Sequence, residues 1–124
     1  MPHNGVVLLV DDDPDIGRIV SMILEDESYE VVIVANGQEA LDYLREAEKR
    51  PALILLDLML PEVDAWQFRV QQRADPALAS IPIVVFSANS RGAEHARELE
   101  AAAFIKKPPD LDQLLQTIER IAKL

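Results

Sequence analysis

Four short apolar runs in this chain lead into residues able to do chemistry. VVLLV (6–10) runs into Asp11, Asp12 and Asp13, ALILL (52–56) into Asp57, IPIVVF (81–86) into Ser87, and AAFI (102–105) into Lys106 and Lys107. LILLDLMLP (53–61) poses the problem most sharply, because an ionised carboxylate is costly to take out of water unless it is paired or metal-bound. Carboxylates about 4 Å apart repel by roughly 4 kcal/mol per pair at an effective dielectric of about 20, so a group of them calls for a cation. An all-oxygen set suits a hard one, and Mg²⁺ characteristically takes one or two carboxylates, keeps waters and completes its shell with phosphate. An Asp so placed can act as a nucleophile and form an aspartyl phosphate. A hydroxyl and an ammonium nearby would hold the phosphoryl oxygens. Each residue also has an ordinary reading. Asp11–Asp13 can be a solvated loop with one helix cap, Asp57 a turn acid, Ser87 a cap and the lysines surface. Their joint placement after four different runs is what points to a site.

The elements that must position them follow from the pattern. The runs, with VVIV (31–34), are mostly continuous rather than alternating, as in strands buried on both faces of a parallel sheet. Between them apolar residues recur at helical spacing: Ile16, Val20, Ile23 and Leu24; then Ala40, Leu41, Leu44 and Ala47; and finally Leu111, Leu114, Leu115, Ile118 and Ile121. Asp13-Pro14 offers an N-cap with proline at the first helical position, and Asn36 with Glu39 comes close to a capping box. The alternation predicts an α/β fold, (βα)5, with a doubly wound parallel five-stranded sheet over residues 1–124 as one domain. In such a sheet ligands collect beyond the carboxyl ends of the strands, where the acids, the serine and one lysine converge. Two helices read weakly. The third, over 64–73, has a poor stripe of Trp66, Phe68 and Val70, and the fourth, over 91–100, buries mainly alanine and Leu99.

Composition excludes several classes of function. The net charge of −10, with 12 dispersed basic residues, argues against direct nucleic-acid binding and against anionic lipid. No apolar run approaches the length of a membrane span, no signal peptide is evident, and the absence of cysteine suits a reducing cytosol.

The ordered set VVLLVDDDPDI, VANGQEAL, LILLDLMLP, IPIVVFSAN and FIKKP closely resembles the receiver domain of two-component response regulators, of the chemotaxis-regulator kind, over essentially the whole chain. The resemblance implies a flavodoxin-like fold and a cytoplasmic phosphorelay protein. It implies that Asp57 accepts a phosphoryl group from the histidine of a sensor kinase or phosphotransfer protein. Asp11, Asp12, Asp57 and the backbone carbonyl of Met59 would bind Mg²⁺, leaving Asp13 as the cap. Ser87 and Lys107 would contact the phosphoryl group, and strand alternation favours Lys107 over Lys106, which falls on the side of Phe104. Phe104 matches a surface-facing aromatic that turns inward on phosphorylation and, with Ser87, reports to a downstream effector through the face made by the fourth helix, fifth strand and fifth helix. Such a protein catalyses only its own phosphorylation and dephosphorylation.

Departures from the family pattern are Ala65 and Glu100 where glycines are usual, Pro109 for a common Phe, and Arg69 and Gln72 for aliphatics of the third helix. None falls on a pocket position. Three rival readings fit the residues less well. An Asp-nucleophile phosphatase of the haloacid dehalogenase type would need Asp-x-Asp after the first strand, whereas Asp57-Leu58-Met59 follows the third. A flavin or nucleotide module would need a Gly- or Ser/Thr-rich loop where DDDPDIG stands. A pseudo-receiver that only docks would not require all five pocket residues.

Overall fold

The structure, a computed structural model, describes residues 5–59 and 64–122. Five strands, β1 (Gly5–Val10), β2 (Tyr29–Val34), β3 (Leu53–Leu56), β4 (Ile83–Ser87) and β5 (Ala103–Lys106), alternate with five helices. These are α1 (Pro14–Asp26), α2 (Gly37–Glu46), α3 (Ala65–Ala74), α4 (Gly92–Glu98) and α5 (Leu111–Ala122). All pairings are parallel, in the order β2-β1-β3-β4-β5. The predicted α/β sheet is therefore the observed one.

Strand alternation divides the core in two. Leu8, Val10, Ile54, Leu56, Ile83 and Val85 face a layer that includes Leu41, Phe68, Ala96 and Leu99 of the α2, α3 and α4 side. Val7, Leu9, Leu53, Leu55, Val84, Phe86 and Ile105 face Val20, Leu24, Leu114 and Ile118 of α1 and α5. Burial on both faces explains why β1, β3 and β4 read as unbroken apolar runs, while edge strand β2 is only partly covered.

Helix starts follow local chemistry. The Asp13 carboxylate accepts from the N–H groups of Asp15 and Ile16, and the Asn36 amide oxygen from that of Glu39, caps worth about 1 kcal/mol each. Asp64 and Gln67 form a full capping box on α3. The expected stripe on α3 is corrected. Phe68 is buried, but Trp66 and Val70 are exposed, and the inward positions are Ala65 and Gln72. The fourth helix is shorter than its apolar pattern suggested, because Glu100 takes the left-handed conformation at φ 55° and ends it.

Candidate functional site

The sheet reverses its winding between β1 and β3, and the register aligns their ends, with Val10 beside Leu56. Backbone ladders continue one residue further: Asp11 N–H donates to the Val34 carbonyl and Asp57 N–H to the Val10 carbonyl, each at 3.0 Å. Two adjacent strands thus deliver Asp11 and Asp57 side by side, both buried. Asp12, next on the chain, is exposed, and carboxylate oxygens of Asp11, Asp12 and Asp57 lie within 4.8 Å of one another. That donor set, three carboxylates that can each offer an oxygen to one point, fits a hard divalent cation.

Lys107 supplies the cation in this structure. Its Nζ donates to Asp11 Oδ2 at 2.5 Å, lies 3.5 Å from Asp57 Oδ2 and sits over the Phe86 ring, 5.1 Å from its centroid. The Lys107 N–H is held by the Ser87 carbonyl at 3.0 Å. Lys106 is exposed, so of the two adjacent lysines it is Lys107 that enters the pocket. Burial pushes the Asp57 carboxyl above its ordinary value. The Met59 N–H, 3.2 Å from Oδ1, and the Lys107 ammonium oppose that rise, while Asp11 adds to it. The Met59 side chain is itself exposed.

Ser87 is buried at the end of β4, and its Oγ accepts from the Asn89 N–H at 3.0 Å. Phe104 departs from expectation. It is partly buried rather than surface-facing, packed on the layer that holds Val85, its neighbour in the sheet. Its ring occupies the space above Gly92, where an added Cβ would meet Cε1 in overlap and Cζ at 2.6 Å. Sequence reasoning named Arg69 and Gln72 only as departures, but they form a polar link in which Gln72 is buried and Arg69 half-buried. Arg69 donates to the carbonyls of Leu99 and Glu100 and to Gln72 Oε1, and Gln72 Nε2 donates to the carbonyls of Leu78 and Ile81. The signal was there, since polar residues at inward helical positions need partners.

A doubly wound sheet with three carboxylates at its switch point and a lysine closing over them defines a class, the α/β domains built around an acidic cation pocket. Residues 7–119 match the family model of the response regulator receiver domain. The chain is 37% identical over 111 residues to the response regulator Rre1 of Synechocystis sp., covering 87% of this chain and 47% of that protein. It superposes on the chemotaxis response regulator CheY4 of Vibrio cholerae with a TM-score of 0.84 at 28% identity, covering 94% and 98% of the two chains. It matches the receiver domain of the sensor histidine kinase PA1611 of Pseudomonas aeruginosa, solved with a magnesium ion in its active-site cleft, with a TM-score of 0.84 at 27% identity and 97% and 98% coverage. The chain belongs to the response regulator receiver domain family, a family of two-component signalling domains. It spans about half the length of the curated relatives it matches. Among the described residues no helix is long and apolar enough to cross a membrane.

Proposed function

We propose that residues 1–124 form one receiver unit in which Asp57 is the phosphoacceptor. The observation that carries this reading is the buried Asp57 carboxylate, set among Asp11, Asp12 and the Lys107 ammonium at the end of β3. An Asp57 oxygen attacks the phosphorus of a phosphohistidine on a sensor kinase or phosphotransfer protein. The O–P bond forms as the P–N bond breaks, and the imidazole departs with the electron pair. Asp11, Asp12, Asp57 and the Met59 carbonyl would hold Mg²⁺, which neutralises charge on the transferring oxygens. Lys107, whose Nζ lies 3.5 Å from Asp57 Oδ2, would pair with a phosphoryl oxygen, and the Ser87 hydroxyl, whose Oγ accepts from the Asn89 N–H, would donate to another. Water attack on the same phosphorus returns the carboxylate. The protein thus turns over only its own modification. The added charge biases α4, β5 and α5, whose outer face meets a downstream protein effector in the cytoplasm.

Intact mass after acetyl phosphate treatment tests the acceptor. One phosphoryl group should appear with Mg²⁺ and not with chelator, and none on Asp57→Ala. Equal labelling of Asp57→Ala and parent sinks the assignment. An unlabelled parent that still binds a partner would mean a docking module instead.

A further inference from the structure

The two ends of α4 are held in different ways. At the C-terminal end, Arg69 Nε donates to the Leu99 carbonyl at 2.9 Å and Nη2 to the Glu100 carbonyl at 3.0 Å. Arg73 pairs with the Glu100 carboxylate, and Gln72 orients Arg69 from below while tying α3 to the segment that enters β4. A guanidinium on the last carbonyls also opposes the negative end of the helix dipole. Leu99, buried beside this link, completes the anchor.

Among the described residues the N-terminal end has no such tie. Its N-cap, Arg91, makes no side-chain cap hydrogen bond, and its guanidinium pairs within the same turn, with Glu94. What precedes it is a local turn. The Arg91 N–H donates to Asn89 Oδ1 and the Gly92 N–H to the Asn89 carbonyl, while the Asn89 N–H reaches back to Ser87 Oγ. A helix of seven residues has little stability of its own, so its first turn depends on what packs there. That is the ring of Phe104, which fills the notch left by the missing side chain of Gly92.

We propose that α4 is a lever with one fixed end: Arg69 and Gln72 pin its C-terminal end to α3, and Gly92 seats the Phe104 ring at the free end. Gly92 is a positioning residue, because it alone admits the inward ring. The resting geometry stands by itself, and its use in signalling rests on the reading of Asp57 and Ser87 above. Motion drawn through Ser87 and Asn89 would displace the first turn and leave residues 99–101 in place.

The test is amide hydrogen exchange and proton NOE measurement on the full chain. In Gly92→Ala the contacts between the Phe104 ring and residue 92 should vanish, and exchange over 92–96 should rise about ten-fold, with 99–101 unchanged. Alanine favours helix over glycine, so propensity alone would move exchange the other way. Arg69→Gln should do the reverse, loosening 99–101 and keeping the ring contact. Gly92→Ala combined with Phe104→Leu, a shorter side chain, should return 92–96 to within about two-fold of Phe104→Leu alone. If Gly92→Ala does not fold, Phe104→Leu alone should loosen 92–96 only. Ring contacts that persist in Gly92→Ala, or either single variant loosening both ends equally, overturn the proposal. Beryllofluoride with Mg²⁺ separates the two readings. Shifts over 89–96 should appear in the parent and shrink in Gly92→Ala, and equal shifts in both discard the lever. A parent without any shift, but with the resting pattern intact, discards the phosphoacceptor instead.

Discussion

The Lys107 ammonium touches Asp11 at 2.5 Å and lies 3.5 Å from Asp57, so one cation from β5's end balances two buried acids at the ends of β1 and β3. Removing it leaves two buried carboxylates facing each other without the ammonium that balances them. Lys107→Met should therefore cost about 2–4 kcal/mol in urea unfolding without metal. Millimolar Mg²⁺ should recover much of that loss in the variant, and stabilise the parent less. A variant as stable as the parent without metal would show that the pocket is better solvated than its burial indicates.

Asp57 itself gives a pH signature. Burial, the largest cause, raises its carboxyl above the ordinary value of 3.8. Below that value the carboxyl is protonated in both folded and unfolded chains, and the site carries no charge penalty. As pH rises through the raised folded value, the native state must hold an anion that water holds better, and the stability is lost. Asp57→Asn should thus gain on the order of 1 kcal/mol near pH 7 without metal, and the gain should vanish below about pH 4. A gain independent of pH would point to packing instead.

Asp12 differs from its neighbours by exposure. Repulsion among clustered carboxylates would by itself make its removal stabilise the metal-free protein. Water already screens an exposed acid, so Asp12→Ala should change unfolding by no more than about 0.5 kcal/mol. It should still weaken Mg²⁺ binding, measured by titration calorimetry, about ten-fold or more through the lost ligand charge. Unchanged affinity would remove Asp12 from the metal set.

Gln72 is wholly buried, and its amide serves carbonyls of Leu78 and Ile81 as well as Arg69. Gln72→Leu restores the aliphatic that the family favours but strands these groups, and should destabilise by about 2 kcal/mol. A neutral or stabilising result in thermal unfolding would mean the link is dispensable.

Glu100 holds φ 55°, a region that favours glycine. Glu100→Gly removes strain of about 1–2 kcal/mol and loses some unfolded-state restriction and an exposed pair with Arg73. The net expectation is a gain of up to about 1 kcal/mol, and a loss of similar size would show that the Arg73 pair outweighs the strain.

Much of this protein is decided locally. The apolar runs of β1, β3 and β4, the caps at Asp13 and Asn36, and the placement of Asp11, Asp57 and Ser87 at strand ends all follow from residues within a few positions of one another. That is why the α/β sheet and its acidic rim were legible in the sequence. The resemblance assigned Lys107 rather than Lys106 by its place before Pro108, and alternation continued from β5 supported that choice, because successive side chains take opposite faces.

Other features were settled only when distant segments met. A polar Arg69 and Gln72 look like weaknesses of α3 until Leu78, Ile81, Leu99 and Glu100 bring carbonyls to them. Phe104 could have faced solvent as far as its own strand determined. The open space above Gly92, a residue twelve positions away on another element, lets it turn inward. The charge balance is likewise tertiary. Three acids in the sequence call for a cation, but only the reach of Lys107 across β4 shows that the chain supplies one itself. Backbone pattern and capping act over a few residues, whereas hydrogen-bond satisfaction, side-chain packing and buried charge depend on which groups the fold brings within contact.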